Sequence, residues 1–200
     1  MRLALFLFVL LFSALPAWAS KTILVMGDSL SAGYGISQEQ AWPALLAKRL
    51  AEKQLDYNVA NLSISGETTA GGRTRLQPAL QQYKPAVVVI ALGANDGLRG
   101  LPLNQMRENL NAMVDAAQKN GAKVLIAGIR LPPNYGPYAT DFHASFGEIS
   151  RSKKIAALPF LLEPIATRAN FFQADNLHPT AEAQPLILDH VWPALLPLLK

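Results

Sequence analysis

Short apolar runs alternate with amphipathic stretches along this chain. Lys21 to Met26, with Ile23-Leu24-Val25-Met26 at its centre, reads as a buried strand. Tyr57 to Leu62, Ala86 to Leu92 and Lys123 to Ile129 read as three more strands, and Leu158 to Leu162 as a weaker fifth. The Ala86–Leu92 run is apolar at every position, as expected of a central parallel strand covered on both faces. Between the strands the spacing becomes helical. Trp42, Leu45, Leu46 and Leu50 share one face, with Lys48, Arg49, Glu52 and Lys53 elsewhere on the wheel. Ser37 and Gln40 have the spacing of a capping box, and Pro43 suits a first helical turn. Further helices are predicted over Arg73–Gln82, against the grain of Pro78, and from Leu103 to a stop at Gly121. Two more are predicted over Ala139–Lys154 and through Leu186, Ile187, Val191 and Leu195. The proline-rich Leu131–Tyr138 stretch is predicted to be a loop, and Phe171–Pro179 to be irregular. Strands alternating with helices predict one α/β domain around a parallel sheet.

Residues 1–19 stand outside this pattern. Arg2, the apolar run Leu3–Leu15 and the small-residue ending Pro16-Ala17-Trp18-Ala19 have the form of a secretory signal peptide. The run is short for a membrane span, which needs about 20 residues. Cleavage after Ala19 is expected to leave residues 20–200 as one soluble domain, periplasmic or secreted, without a stable membrane anchor. The chain has no cysteine, which excludes a lipoprotein anchor, disulfides, thiolate zinc sites and a cysteine nucleophile. Its net charge is +4, or +3 once Arg2 leaves with the leader, and no lysine or arginine run stands out. A nucleic-acid partner is therefore not expected. No metal site or cofactor is expected either, and the domain is expected to be a monomer.

Candidate chemistry lies where the strands end. Met26-Gly27-Asp28-Ser29 closes the first strand with a serine on a glycine turn, at the edge where open α/β sheets bind ligands. Alone, this is an ordinary turn with a capping serine. Gly66 alone is a turn glycine, Asn95-Asp96-Gly97 a common turn, and Asp175 and His178 a cap and a helix-start histidine. Together they make a working set. Ser29 is a candidate nucleophile, weak until a base takes its proton. His178 can be that base, and Asp175, three residues earlier, can orient its ring. The backbone N–H groups of Ser29 and Gly66 and the side-chain amide of Asn95 are candidate oxyanion donors. Asp28 is expected to be a structural ligand of the turn, and His143 and His190 to be structural or surface groups.

Gly27-Asp28-Ser29-Leu30-Ser31 resembles the first sequence block of the GDSL, or SGNH, hydrolases. Gly66 resembles their second block, Gly93-Ala94-Asn95-Asp96 their third and Asp175-Asn176-Leu177-His178-Pro179 their fifth. Gly93–Gly100 and Leu131–Gly136 look most like the periplasmic thioesterase I, lysophospholipase and arylesterase branch. The resemblance implies a flavodoxin-like α/β/α sandwich with five parallel strands in order 2-1-3-4-5. It also implies a serine esterase that hydrolyses acyl esters and thioesters, including aryl esters and lysophospholipids, through an acyl-enzyme. Leu98, Leu101, Leu131 and Tyr135, with Leu103 and Tyr138, are expected to line an apolar trough for the acyl chain, or else simply to pack the loops. A carbohydrate-deacetylating enzyme of the same family and a non-catalytic lipid-binding protein are the rival readings. A nucleotide-binding flavodoxin-like protein is disfavoured, because no G-x-G-x-x-G or lysine-bearing phosphate loop is present. The nucleophile elbow of α/β-hydrolases is a poorer match, since Ser31 stands where its second glycine belongs.

Overall fold

The computed structural model describes residues 20–200, so the expected signal peptide lies outside the described residues. The strands β1 (Lys21–Gly27), β2 (Tyr57–Asn61), β3 (Val87–Ala91), β4 (Lys123–Ala127) and β5 (Ala156–Leu158) form one sheet in the order β2-β1-β3-β4-β5. All four pairings are parallel, with Ile23 opposite both Val59 and Val87. The central strands are the apolar ones. Ile23–Met26 and Val87–Ala91 are buried throughout, because helices cover both faces of the sheet there.

The helices are α1 (Ser29–Ala32), α2 (Trp42–Glu52), α3 (Thr69–Tyr83), α4 (Ala94–Leu98), α5 (Leu103–Lys119), α6 (Pro137–Lys153) and α7 (Gln184–Leu195). The chain first moves outward from β1 through α2 to β2, then reverses and runs through α3, α5 and α6 to β3, β4 and β5. Since parallel crossovers are right-handed, that reversal puts α2 on one face and α3, α5 and α6 on the other. Accordingly α2 packs against α7, while α3 packs against α5 and α5 against α6. Trp42, Phe142 and Phe146 are the largest fully buried side chains. The reversal also makes the gap between the carboxyl ends of β1 and β3 a topological switch point, where the outgoing connections diverge and leave a crevice. No helix among the described residues is long and apolar enough to cross a membrane.

Several boundaries differ from the sequence expectation, each for a local reason. The fifth strand is Ala156–Leu158, not Leu158–Leu162. Pro159 has no N–H for the ladder, and the chain turns under the sheet as Leu161 N donates to the Gly128 carbonyl (2.9 Å). Helix α3 begins at Thr69, before Arg73, because the Asp96 carboxylate accepts its first N–H (2.9 Å). It continues through Pro78, which faces solvent, where water can take the carbonyl left without a donor. Pro137 opens α6, since its fixed φ and missing N–H both suit a first helical position. The Asn95-Asp96-Gly97 turn is the short helix α4.

Candidate active site

The serine turn is held from below. Asp28 is buried, and its Oδ1 accepts from Leu30 N (3.0 Å), capping α1 at the residue before Ser29. Burial pushes the Asp28 carboxyl up to about 7, against the pull of the Leu30 N–H, and nearby Asp96 adds to the rise. The other Asp28 oxygen, Oδ2, is buried without a hydrogen-bond partner. Gly27 makes the turn possible, because a Cβ there would stand 2.8 Å from the side chains of Ser31 and Ser63. Ser31 then ties the turn to its neighbours. Its hydroxyl accepts from Trp42 Nε1 (3.2 Å) and its carbonyl from Asn61 Nδ2 (2.9 Å).

The histidine arrives on a small hairpin. Phe172 and Pro179 pair antiparallel, Gln173 N donates to the His178 carbonyl (2.8 Å), and Thr180 N donates to the Phe171 carbonyl (2.8 Å). Within this turn Asp175 Oδ1 accepts from the backbone N–H groups of Leu177 (2.9 Å) and His178 (3.0 Å), and its Oδ2 lies 2.6 Å from His178 Nδ1. The His178 backbone N–H, then its ring, then the Leu177 N–H hold the Asp175 carboxyl down at about 2. The carboxylate is therefore ionised at neutral pH and can only accept, so Nδ1 carries the ring proton. The opposite nitrogen, His178 Nε2, is 2.9 Å from Ser29 Oγ and is free to accept its proton.

A third set of groups faces the serine from β2 and β3. Gly66 lies in a turn closed by Glu67 N donating to the Ile64 carbonyl (3.1 Å), and its own carbonyl accepts from Arg99 Nη2 (3.0 Å). Asn95 Nδ2 donates to the Glu67 carbonyl (3.0 Å), which fixes the side chain and leaves its second N–H for a ligand. Glu67 is braced in turn by Arg75 Nε (2.7 Å). Ser29, Tyr34, Gly66, Asn95, Leu98 and His178 all line one cavity of about 260 Å³ at the switch point between β1 and β3. The structure thus brings Ser29, Gly66, Asn95, Asp175 and His178 together. The arrangement can remove a proton from a hydroxyl, stabilise the resulting imidazolium and offer three N–H groups to a developing oxyanion.

A longer trough of about 420 Å³ adjoins the cavity, sharing Leu30, Ala94, Leu98 and Leu177 with it and continuing past Leu131 and Phe160. Leu98 and Leu131 therefore line it, whereas Leu101 and Tyr135 lie off its lining. Tyr135 Oη donates to the Leu98 carbonyl (3.1 Å) and Tyr138 Oη to the Leu101 carbonyl (2.7 Å), so these tyrosines tie the start of α6 and the turn before it to the Leu98–Leu101 segment. His190 bonds the Phe160 carbonyl through Nε2 (3.0 Å), and His143 faces the Ile129 carbonyl, both away from the cavity. Among the described residues, no group of three or more His, Asp or Glu side chains is placed to hold a metal ion. Sequence reading did not single out Tyr34, Glu67, Arg99 or Gln173, which hold the site residues, or Thr69, which holds Asp96 beside Asn95. Their partners lie far along the chain, and no local pattern marks such pairs.

Residues 25–185 match the model of the GDSL-like lipase/acylhydrolase family. Esterase TesA of Pseudomonas aeruginosa is 50% identical over 182 residues, 90% of each chain. Thioesterase 1/protease 1/lysophospholipase L1 of Escherichia coli K12 is 39% identical over 196 residues, covering 98% of this chain and 92% of that protein. Among solved structures, the psychrotrophic esterase EstA from Pseudoalteromonas, inhibited by monoethylphosphonate, is 43% identical and superposes with a TM-score of 0.85. That match covers 90% of this chain and 98% of EstA.

Proposed function

Because the chain belongs to the GDSL-like lipase/acylhydrolase family, we propose that it is a serine hydrolase of acyl esters and thioesters, working through Ser29, His178 and Asp175. One observation carries the reading. The His178 ring bridges Ser29 Oγ (2.9 Å) and the ionised Asp175 carboxylate (2.6 Å) with the tautomer a general base needs. Ser29 Oγ attacks the acyl carbon while its proton passes to His178 Nε2. The carbonyl oxygen becomes an oxyanion facing the N–H groups of Ser29, Gly66 and Asn95. When the tetrahedral intermediate collapses, the bond to the leaving oxygen or sulfur breaks, and His178 returns the proton to it. A water molecule then gives its proton to His178 and attacks the acyl-enzyme, releasing the acid and restoring Ser29. The phosphonate-inhibited relative is consistent with such a nucleophile.

The trough supports an acyl chain as the recognised part of the substrate, with Leu98 and Leu131 along its wall. Aryl esters, thioesters and lysophospholipids all present that portion, and relatives bear names of each kind. A deacetylating enzyme has no use for so long an apolar wall. Residues 1–19 support export of the enzyme. The test is a rate profile on p-nitrophenyl esters from acetyl to palmitoyl with Ser29→Ala as the blank. The expected result is a maximum at a chain longer than acetyl and a loss of at least about 10⁴-fold in kcat for the variant. A profile that is flat and independent of Ser29 overturns the assignment, and a maximum at acetyl favours the deacetylating reading.

A further inference from the structure

We propose that Tyr34 is a positioning residue for the base, its aromatic face holding the His178 imidazole in the plane that joins Ser29 to Asp175. The inference rests on the proposed role of His178. The two hydrogen bonds of the His178 ring leave from Nδ1 and Nε2, so both lie near one line through the imidazole. Bonds along a single line do little to resist a tilt of the ring about it. A contact on the face does. The Tyr34 ring supplies that contact, with centroids 4.4 Å apart and planes inclined by 37°.

Tyr34 is not placed there by the core, because the residue is 52% exposed. Its backbone places it instead. Tyr34 N donates to the Ser29 carbonyl (3.2 Å), and the Tyr34 carbonyl accepts from Gln173 Nε2 (2.7 Å). The same amide group donates to the Pro179 carbonyl (3.0 Å). One residue is thus bonded to the serine turn and, through Gln173, to the hairpin that carries Asp175 and His178. Gly33 and Gly35 flank it at φ +77° and +75°, and a Cβ on Gly35 would run into the Gln173 side chain. The chain reverses on both sides of Tyr34 to present one aromatic ring. That ring lines the cavity at Ser29 but not the acyl trough, so its influence falls on the base and the leaving group.

The test compares Tyr34→Phe, which keeps the aromatic face, with Tyr34→Leu, which keeps bulk and loses it. On one short p-nitrophenyl ester, Tyr34→Phe is expected to keep kcat within about twofold of wild type. Tyr34→Leu is expected to lose about tenfold or more in kcat with little change in KM. In the wild type, the NMR signals of the His178 ring protons are expected upfield of an exposed histidine through the Tyr34 ring current, unchanged in Tyr34→Phe and lost in Tyr34→Leu. Wild-type kcat in Tyr34→Leu, equal losses in both variants, or a rise in KM alone overturns the proposal. Absence of the ring-current shift in the wild type overturns it even if Tyr34→Leu fails to fold. A fluorophosphonate probe separates this outcome from failure of the underlying reading: if wild-type Ser29 is not labelled, the hydrolase assignment falls, and if it is labelled, only the role of Tyr34 does.

Discussion

The two edges of the sheet are built on different terms. At the carboxyl edge, the loops after β1, β2 and β3 and the hairpin at Phe172–Pro179 are tied by side chains that reach from one loop to another, as Asn95 does to Glu67, Arg99 to Gly66, Gln173 to Tyr34 and His178 to Ser29. At the opposite edge, the four turns from helix to strand each contain a residue in the left-handed region: Gln54 (φ 53°), Lys84 (φ 42°), Gly121 (φ 80°) and Lys154 (φ 54°). All four turns place a residue at positive φ, yet only one of the residues is a glycine. Strain at this edge is local, repeated and separable. At the other edge, removing Asn95, Arg99, Gln173 or His178 leaves a partner unpaired in a neighbouring loop, so structure and chemistry change together there.

The strongest test of the contrast is Asn95→Ala, which removes the proposed oxyanion donor and also frees the Glu67 carbonyl. It is expected to lower kcat by about 10²–10³-fold and to destabilise the fold by about 1 kcal/mol, read from the melting curve. Loss of stability with kcat intact would reduce Asn95 to a structural brace.

Asp28 gives the next effect, and its sign follows from burial. Its folded-state carboxyl titrates at about 7 against 3.8 for the free group, so between these values the folded protein holds the proton more tightly than the unfolded chain. Stability from this group is present at low pH and is lost as pH rises from about 4 through about 7. Asp28→Asn keeps an oxygen for the Leu30 N–H and removes the ionisation. Its melting temperature should therefore gain on wild type from about pH 4 to about pH 7 and level off above that, by the equivalent of a few kcal/mol at most, about 1.4 per unit of raised pKa. A constant difference across that range would count against it. Asp175 works in the other direction: its lowered carboxyl contributes stability above about pH 4, lost as pH falls through about 2.

The smallest effect lies at the far edge. Lys84→Gly relieves a left-handed lysine at the end of α3 and is expected to stabilise by about 0.5–1 kcal/mol, with unchanged kcat and KM. An altered kcat would mean that the edges are coupled.

The same contrast explains what could be read from the chain alone. Strands β1, β3 and β4 are legible because burial on both faces leaves little but apolar residues. The fifth strand is displaced because Pro159 ends the ladder inside an apolar run, where hydrophobicity no longer separates a strand from a buried turn. Ser29, Gly66, Asn95, Asp175 and His178 each sit in a short block of fixed local pattern, so they can be singled out one by one. Tyr34, Glu67, Arg99 and Gln173 act through contacts with distant residues, such as Gln173 with the Tyr34 carbonyl 139 positions away. The trough was half visible. Leu98 and Leu131 are on its wall, but which face of the Leu131–Tyr138 segment turns inward depends on the 3₁₀ turn at Pro133–Tyr135, which the prolines mark only as a loop.

The hairpin at Phe172–Pro179 also bears on the order of assembly. Asp175 and His178 meet across three positions, whereas Ser29 and His178 meet across 149. The first contact can form as soon as its own turn closes. The second needs nearly the whole chain, and contacts of such separation are slow to form because a long loop must be closed first. A chain halted before Phe172 contains all five strands and still lacks the His178 ring beside Ser29. During refolding, labelling of Ser29 by a fluorophosphonate should therefore lag behind protection of the β1 and β3 amides from hydrogen exchange, since those strands pair across far shorter separations such as Ile23 with Val87, and Ser29 labelling would serve as a clock for completion of the fold.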